Sequence, residues 1–104
     1  MKMDTLKERI LPEKLQKAAE MLRTAAHPQR LAILELLGGE KQYSNSELQT
    51  ILGIEQAILS QHLTLLRDKG LVDFRKEGKS SFYFLKHTDF MNIIHCLENC
   101  CAKL

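Results

Sequence analysis

A chain of 104 residues, 44% hydrophobic and 27% charged, has room for one domain with a modest core and is too apolar for an intrinsically disordered segment. Its formal charge of +2 excludes nothing, since many proteins without a nucleic-acid partner are equally basic, so the placement of the charges must decide. No apolar run approaches the roughly 18 residues that span a bilayer, and the N-terminus lacks an apolar secretory segment; a cytoplasmic protein with no membrane partner is expected.

No repeat, low-complexity tract or linker interrupts residues 1–104, so they are expected to form a single domain. Leu15, Ala18, Ala19, Leu22 and Ala26 recur with a period near 3.6, and Pro12 suits a first helical turn, which predicts a helix over 12–26. His27-Pro28 interrupts it, because a residue before proline avoids the helical conformation. A second helix is predicted over 28–37 with Leu31, Ile33, Leu34 and Leu37, ended by Gly38-Gly39. Ser44-Asn45-Ser46-Glu47 has the form of a capping box and predicts a third helix to about residue 52. Gly53 permits a sharp turn, after which a fourth helix runs from about 55, where Glu55 suits the positive helix end, to 69, with Gly70 stopping it. Residues 71–76 and 80–85 carry β-formers around Glu77-Gly78-Lys79 and predict a hairpin. Phe90, Ile93, Ile94, Leu97, Cys101 and Leu104 then form one stripe of a last helix over 88–104. The order α-α-α-α-β-β-α is mostly helical with a small β-hairpin, and two short helices across a glycine turn followed by a hairpin are the outline of a winged helix-turn-helix.

In such a fold the second helix of the pair enters the major groove, with short polar side chains outward and apolar ones inward. Ile58, Leu59, Leu63 and Leu66 are expected to be the buried side; Gln56, Ser60, Gln61 and Thr64 offer hydrogen bonds outward, and His62 adds a donor for a phosphate or base edge. Arg67 and Lys69 suit backbone contacts. Arg75, Lys76 and Lys79 at the hairpin tip are placed to grip phosphates of double-stranded DNA, although charge at a hairpin tip can also be plain solvated surface. A winged module that binds protein instead would show an apolar or acidic recognition face; the residues above argue against it, with Glu55 and Asp68 as contrary signs. No enzyme is expected, for there is no phosphate loop, and Ser60 and His62, two residues apart on a helix, point away from each other. No cofactor is implied.

These residues resemble the ArsR/SmtB bacterial repressors. The likeness runs through residues 26–37, Glu47-Leu48, Leu59-Ser60-Gln61-His62-Leu63 with Leu66, Lys69-Gly70-Leu71-Val72, residues 75–79 and Tyr83-Phe84-Leu85, and covers roughly residues 15–97. It implies a winged-helix homodimer built from the first and last helices, with Ser60, Gln61 and His62 in the DNA-reading helix. The two apolar-striped terminal helices agree, since they exceed what a small domain can cover alone. A two-fold dimer presents two recognition helices about one helical turn apart, so an imperfect palindromic operator and a repressor are expected.

Members of that family commonly respond to a metal ion or an oxidant. One family site, a Cys-x-Cys after the Glu-Leu pair, has Gln49 and Ile51 in its place here. The other, an Asp-x-His followed about ten residues later by a second histidine motif, is represented by Asp89-Phe90-Met91, and His95-Cys96-Leu97-Glu98 comes several residues too early. No metal is therefore expected. Cys96 and Cys100, four residues apart, share a helix edge, with Asp89 on the same flank and Cys101 in the apolar stripe. Two readings stand: the three cysteines pack in or beside a dimer interface, or Cys96 and Cys100 sense a soft metal or an oxidant.

Overall fold

In chain order the computed structural model, which describes residues 4–39 and 41–104, runs α1 (Leu6–Arg9), α2 (Pro12–Ala25), α3 (Pro28–Leu37), β1 (Tyr43–Ser44), α4 (Asn45–Leu52), α5 (Gln56–Asp68), β2 (Val72–Glu77), β3 (Ser80–Leu85) and α6 (Phe90–Cys101). Residues 1–3 and 40 of the expected domain lie outside the described residues.

The long helices fall where the periodicity predicts, with Pro12 and Pro28 in the first turns of α2 and α3. Two elements are additional. The single turn α1 buries no residue and is too short to show a period. The two-residue β1 exists because it pairs antiparallel with β3, Tyr43 opposite Tyr83 and Ser44 opposite Phe82. The hairpin is therefore part of a three-stranded sheet of order β1-β3-β2, with β3 central. Strand β2 begins one residue later than predicted, since the Leu71 N–H donates to the Leu66 carbonyl (2.9 Å) and closes the end of α5. The last helix is shorter than expected, spanning Phe90–Cys101.

The core lies beneath α5. Leu59, Leu63 and Leu66 pack with Ile33, Leu34 and Leu37 of α3, Leu48 of α4, Leu71, Val72, Leu85, and Phe90 and Ile94 of α6. Each such side chain contributes about 2 kcal/mol on burial, so α5 is held along its length rather than at its ends. Ile58, expected on this buried side, is 40% exposed. Leu59, His62, Leu63 and Leu66 already complete the inward stripe, and Ile58 stands about 100° around the helix from Leu59, at its edge. The glycine after α3 also has a different task from the one expected. Gly38 keeps ordinary helical angles (φ −76°), and its missing side chain leaves the space that Met91 of α6 fills.

Candidate nucleic-acid interface

The capping box is present in full. The Ser44 hydroxyl accepts from the Glu47 N–H (3.2 Å), and the Ser44 N–H donates to the Glu47 carboxylate (3.0 Å), which together with the nearby Lys41 holds that carboxyl below its ordinary range. At the far end of α4, Gly53 takes the left-handed conformation (φ 64°), which no side chain adopts cheaply, and its N–H closes onto the Gln49 carbonyl (2.8 Å). The turn delivers α5 at once, with Glu55 at its N-cap making no side-chain cap bond.

With the inward stripe committed to the core, Ala57, Gln61 and Thr64 stand at the centre of the outward side of α5 and are exposed. Gln56, exposed, and Ser60, half-buried, occupy the flank nearer the sheet, which Arg67 identifies by its contacts with β2. Arg67 donates to the Asp73 carboxylate (3.3 Å) and lies over the Phe74 ring (4.3 Å). The Asp73 carboxyl is held below its ordinary range, mainly by the Phe74 N–H (2.8 Å) and then by Arg67. Arg67 and Lys69, expected as backbone contacts, thus also fasten α5 inside the chain, Lys69 through Glu20 of α2 (3.8 Å).

At the hairpin tip the three expected cations separate into two kinds. Arg75 donates to Gln42 (2.6 Å) and to Glu77 (2.7 Å) and covers the Phe82 ring, so a carboxylate two residues along the same strand face compensates its charge. Lys76 and Lys79 are exposed and have no ion-pair partner among the described residues.

His62 stands apart from its neighbours on α5. Its side chain does not offer a free donor outward: the residue is 7% exposed, and both ring nitrogens are occupied. The Arg30 Nε–H donates to His62 Nδ1 (3.1 Å), so the proton resides on Nε2, which donates to Gln29 Oε1 (2.8 Å). The His27 ring lies 4.8 Å away. Burial, then the charge of Arg30 and then His27, holds the His62 imidazole below its ordinary pKa. Sequence reasoning missed Gln29 and Arg30 as its partners; the available signals were an arginine early in a largely apolar helix and the helical spacing of His62 with Leu59 and Leu66.

Away from this face, Leu11 and Leu22 on the N-terminal side and Ile93 and Leu97 of α6 are exposed. A groove of about 370 Å³ between α3 and α6 is lined by Leu31, Ala32, Ile94, Leu97 and Cys101 together with Glu35 and His95. Cys96, Cys100 and Cys101 are free and exposed. Among the described residues no three His, Cys, Asp or Glu side chains stand together as a metal ion would require, and no helix is long and apolar enough to cross a membrane.

The model of a bacterial regulatory protein family, the arsR family, matches residues 27–73. The chain is 37% identical over 84 residues to the HTH-type transcriptional regulator YgaV of Escherichia coli, covering 81% of this chain and 85% of that protein. It is 39% identical over 90 residues to a biofilm growth-associated repressor of Agrobacterium fabrum, covering 84% of this chain and 76% of that protein. The solved structure of HlyU from Vibrio cholerae, a transcriptional activator by name, superposes with a TM-score of 0.76 at 37% identity, over 86% of this chain and 97% of that one.

Proposed function

The chain belongs to the arsR family of bacterial regulatory proteins, and on that basis we propose that it is a sequence-specific reader of double-stranded DNA, acting in the cytoplasm as a dimeric repressor on an imperfect palindromic operator. The observation that carries this reading is the outward side of α5. Gln56, Ser60, Gln61 and Thr64 present uncharged donors and acceptors along a helix whose opposite side is locked into the core, and Lys76 and Lys79 stand free on the adjacent wing. Amides in this setting pair with base edges, and free lysines neutralise phosphates.

Dimerisation is supported by Leu11, Leu22, Ile93 and Leu97, apolar side chains that one subunit leaves in water. A two-fold partner meeting the same face covers them and sets two α5 helices on successive major-groove turns. Repression requires only that the bound dimer occupy a promoter, and α5 and the wing are the only surfaces it needs.

The test is fluorescence anisotropy with the DNA upstream of the chain's own coding sequence. Gln61→Ala is expected to weaken specific binding about tenfold, the cost of one base contact, while binding to unrelated duplex stays unchanged. Equal affinity of wild type and variant for specific DNA would refute the recognition face.

One observation favours an added sensory role. Cys96 and Cys100 are both exposed and one helical turn apart on α6. Release of DNA by an oxidant or a soft metal that disappears in both Cys96→Ser and Cys100→Ser supports it; release unchanged by both reduces these cysteines to surface or interface residues.

A further inference from the structure

Among the described residues only Thr24 and His62 are both polar and buried, and a single side chain joins them. The Arg30 guanidinium donates through Nη1 to the Thr24 carbonyl (3.0 Å) and through Nε to His62 Nδ1 (3.1 Å), and His62 Nε2 donates to Gln29 (2.8 Å). Thr24 belongs to the last turn of α2, Gln29 and Arg30 to the first turns of α3, and His62 to the middle of α5. The Thr24 hydroxyl itself donates to the Glu20 carbonyl (2.8 Å), so the α2 end of the chain of bonds is anchored.

We propose that Arg30 and His62 are positioning residues that set the rotation of the recognition helix against the end of α2, and thereby place Ser60 and Gln61 for base contact. This rests on the DNA-reading function above. Apolar packing beneath α5 resists separation of the helices, but because it is non-directional it fixes rotation about the helix axis less sharply than hydrogen bonds do. Hydrogen bonds are directional and lose their strength within a few tenths of an ångström and a few tens of degrees. His62 is the immediate neighbour of Gln61 on α5. A rotation of about 20° displaces side-chain ends at a radius of about 5–6 Å by about 2 Å, enough to break a base contact. Both hydrogen bonds that Arg30 makes go to neutral acceptors, with no carboxylate among its bonded partners. An arginine kept only for surface charge balance would pair with an acid; this one is used for its fixed fork geometry. The arrangement further means that a displacement of the C-terminal turn of α2, on the N-terminal side of the chain, reaches α5 through two side chains.

The experiment uses the full chain and a duplex enriched from a random pool by the wild-type protein. If no duplex is enriched, the DNA-reading function itself fails, which separates that failure from this one. Specific and non-specific affinities are then measured for Arg30→Met, His62→Leu, the double variant and His62→Gln, with oligomeric state and folding checked by ultracentrifugation and circular dichroism. The single variants are expected to lose about tenfold in specific affinity, and the double no more than the worse single, since all remove one unit. His62→Gln retains an acceptor for Arg30 and a donor for Gln29 and recovers most of the affinity. Sequences enriched by the His62 variants keep the wild-type base preference. Additive losses, a base preference altered at one operator position, or full affinity in Arg30→Met and His62→Leu would each overturn the proposal. Should His62→Leu not fold, Arg30→Met and His62→Gln decide by the same criteria, with loss in the first and retention in the second expected.

Discussion

Replacing Leu97 by glutamate tests the assembly on which the two-helix reading of an operator depends. Leu97 is 41% exposed in the single chain, beside Ile93 on α6, with Leu22 of α2 48% exposed. Complete burial of a leucine is worth about 1.5–3 kcal/mol, so covering the exposed two-fifths contributes about 1 kcal/mol. Two-fold symmetry counts the loss twice, and it places two carboxylates in the interface, each costing at least about 1–3 kcal/mol to desolvate, the range for neutral polar groups. The sum, at least about 4 kcal/mol, raises the dimer dissociation constant about a thousandfold or more. Sedimentation velocity from low to high micromolar concentration reads it directly. The wild type is expected to sediment as a dimer and Leu97→Glu as a folded monomer with weakened operator affinity. Ile51→Glu on α4 is the control, because Ile51 is also an exposed apolar residue (52%) but belongs to the helix-turn-helix half. A Leu97→Glu protein that dimerises like the wild type, or an Ile51→Glu protein that dissociates like Leu97→Glu, would refute the assignment of the interface.

Lys79→Ala removes one free wing cation from each subunit, so the slope of log affinity against log salt should become shallower by about 1.8 for the dimer; titrations at several salt concentrations measure it. Ser44→Ala deletes the hydroxyl that accepts from Glu47, and a loss of about 1 kcal/mol is expected in urea denaturation. The pH dependence of folding follows from His62, whose pKa is lowered by burial and then by Arg30 and His27, with Gln29 as the uncharged partner. Its neutral form is favoured in the folded state, so stability is full above the unfolded value of 6.5 and falls as pH drops from there through the folded pKa. Denaturation midpoints should decline over that window in the wild type and much less in His62→Gln. Glu47 and Asp73, both lowered, add their own losses only in the more acidic carboxylate range.

What residues 44–53 do was legible in the sequence, because a capping box and a glycine turn act between groups no more than four positions apart. The same holds for the hairpin turn, where Gly78 has φ 63°, and for the apolar stripes of α2 and α5. The outward placement of Gln56, Gln61 and Thr64 followed from the stripe, since a helix that buries one side must expose the other.

Other features depend on which elements meet, and no local rule contains that. The strand β1 exists only because β3, some forty residues later, pairs with it. Arg75 was legible as a cation but not as one already paired with Glu77 and Gln42, and Gly38 was legible as a helix stop but not as a seat for Met91. His62 is the sharpest case. Its residue type placed it among the groups that touch DNA, although its position, three residues after Leu59 and four before Leu66, put it at the edge of the inward stripe. Only the packing of α3 against α5 brought Gln29 and Arg30 within reach, and two satisfied ring nitrogens then made burial less costly than exposure. The amino-acid sequence by itself determined that a polar-faced helix would be presented beside a basic wing; the tertiary structure decided which of its side chains are free to read and which hold it in place, because hydrogen bonds between distant elements form only once the core has set their distance.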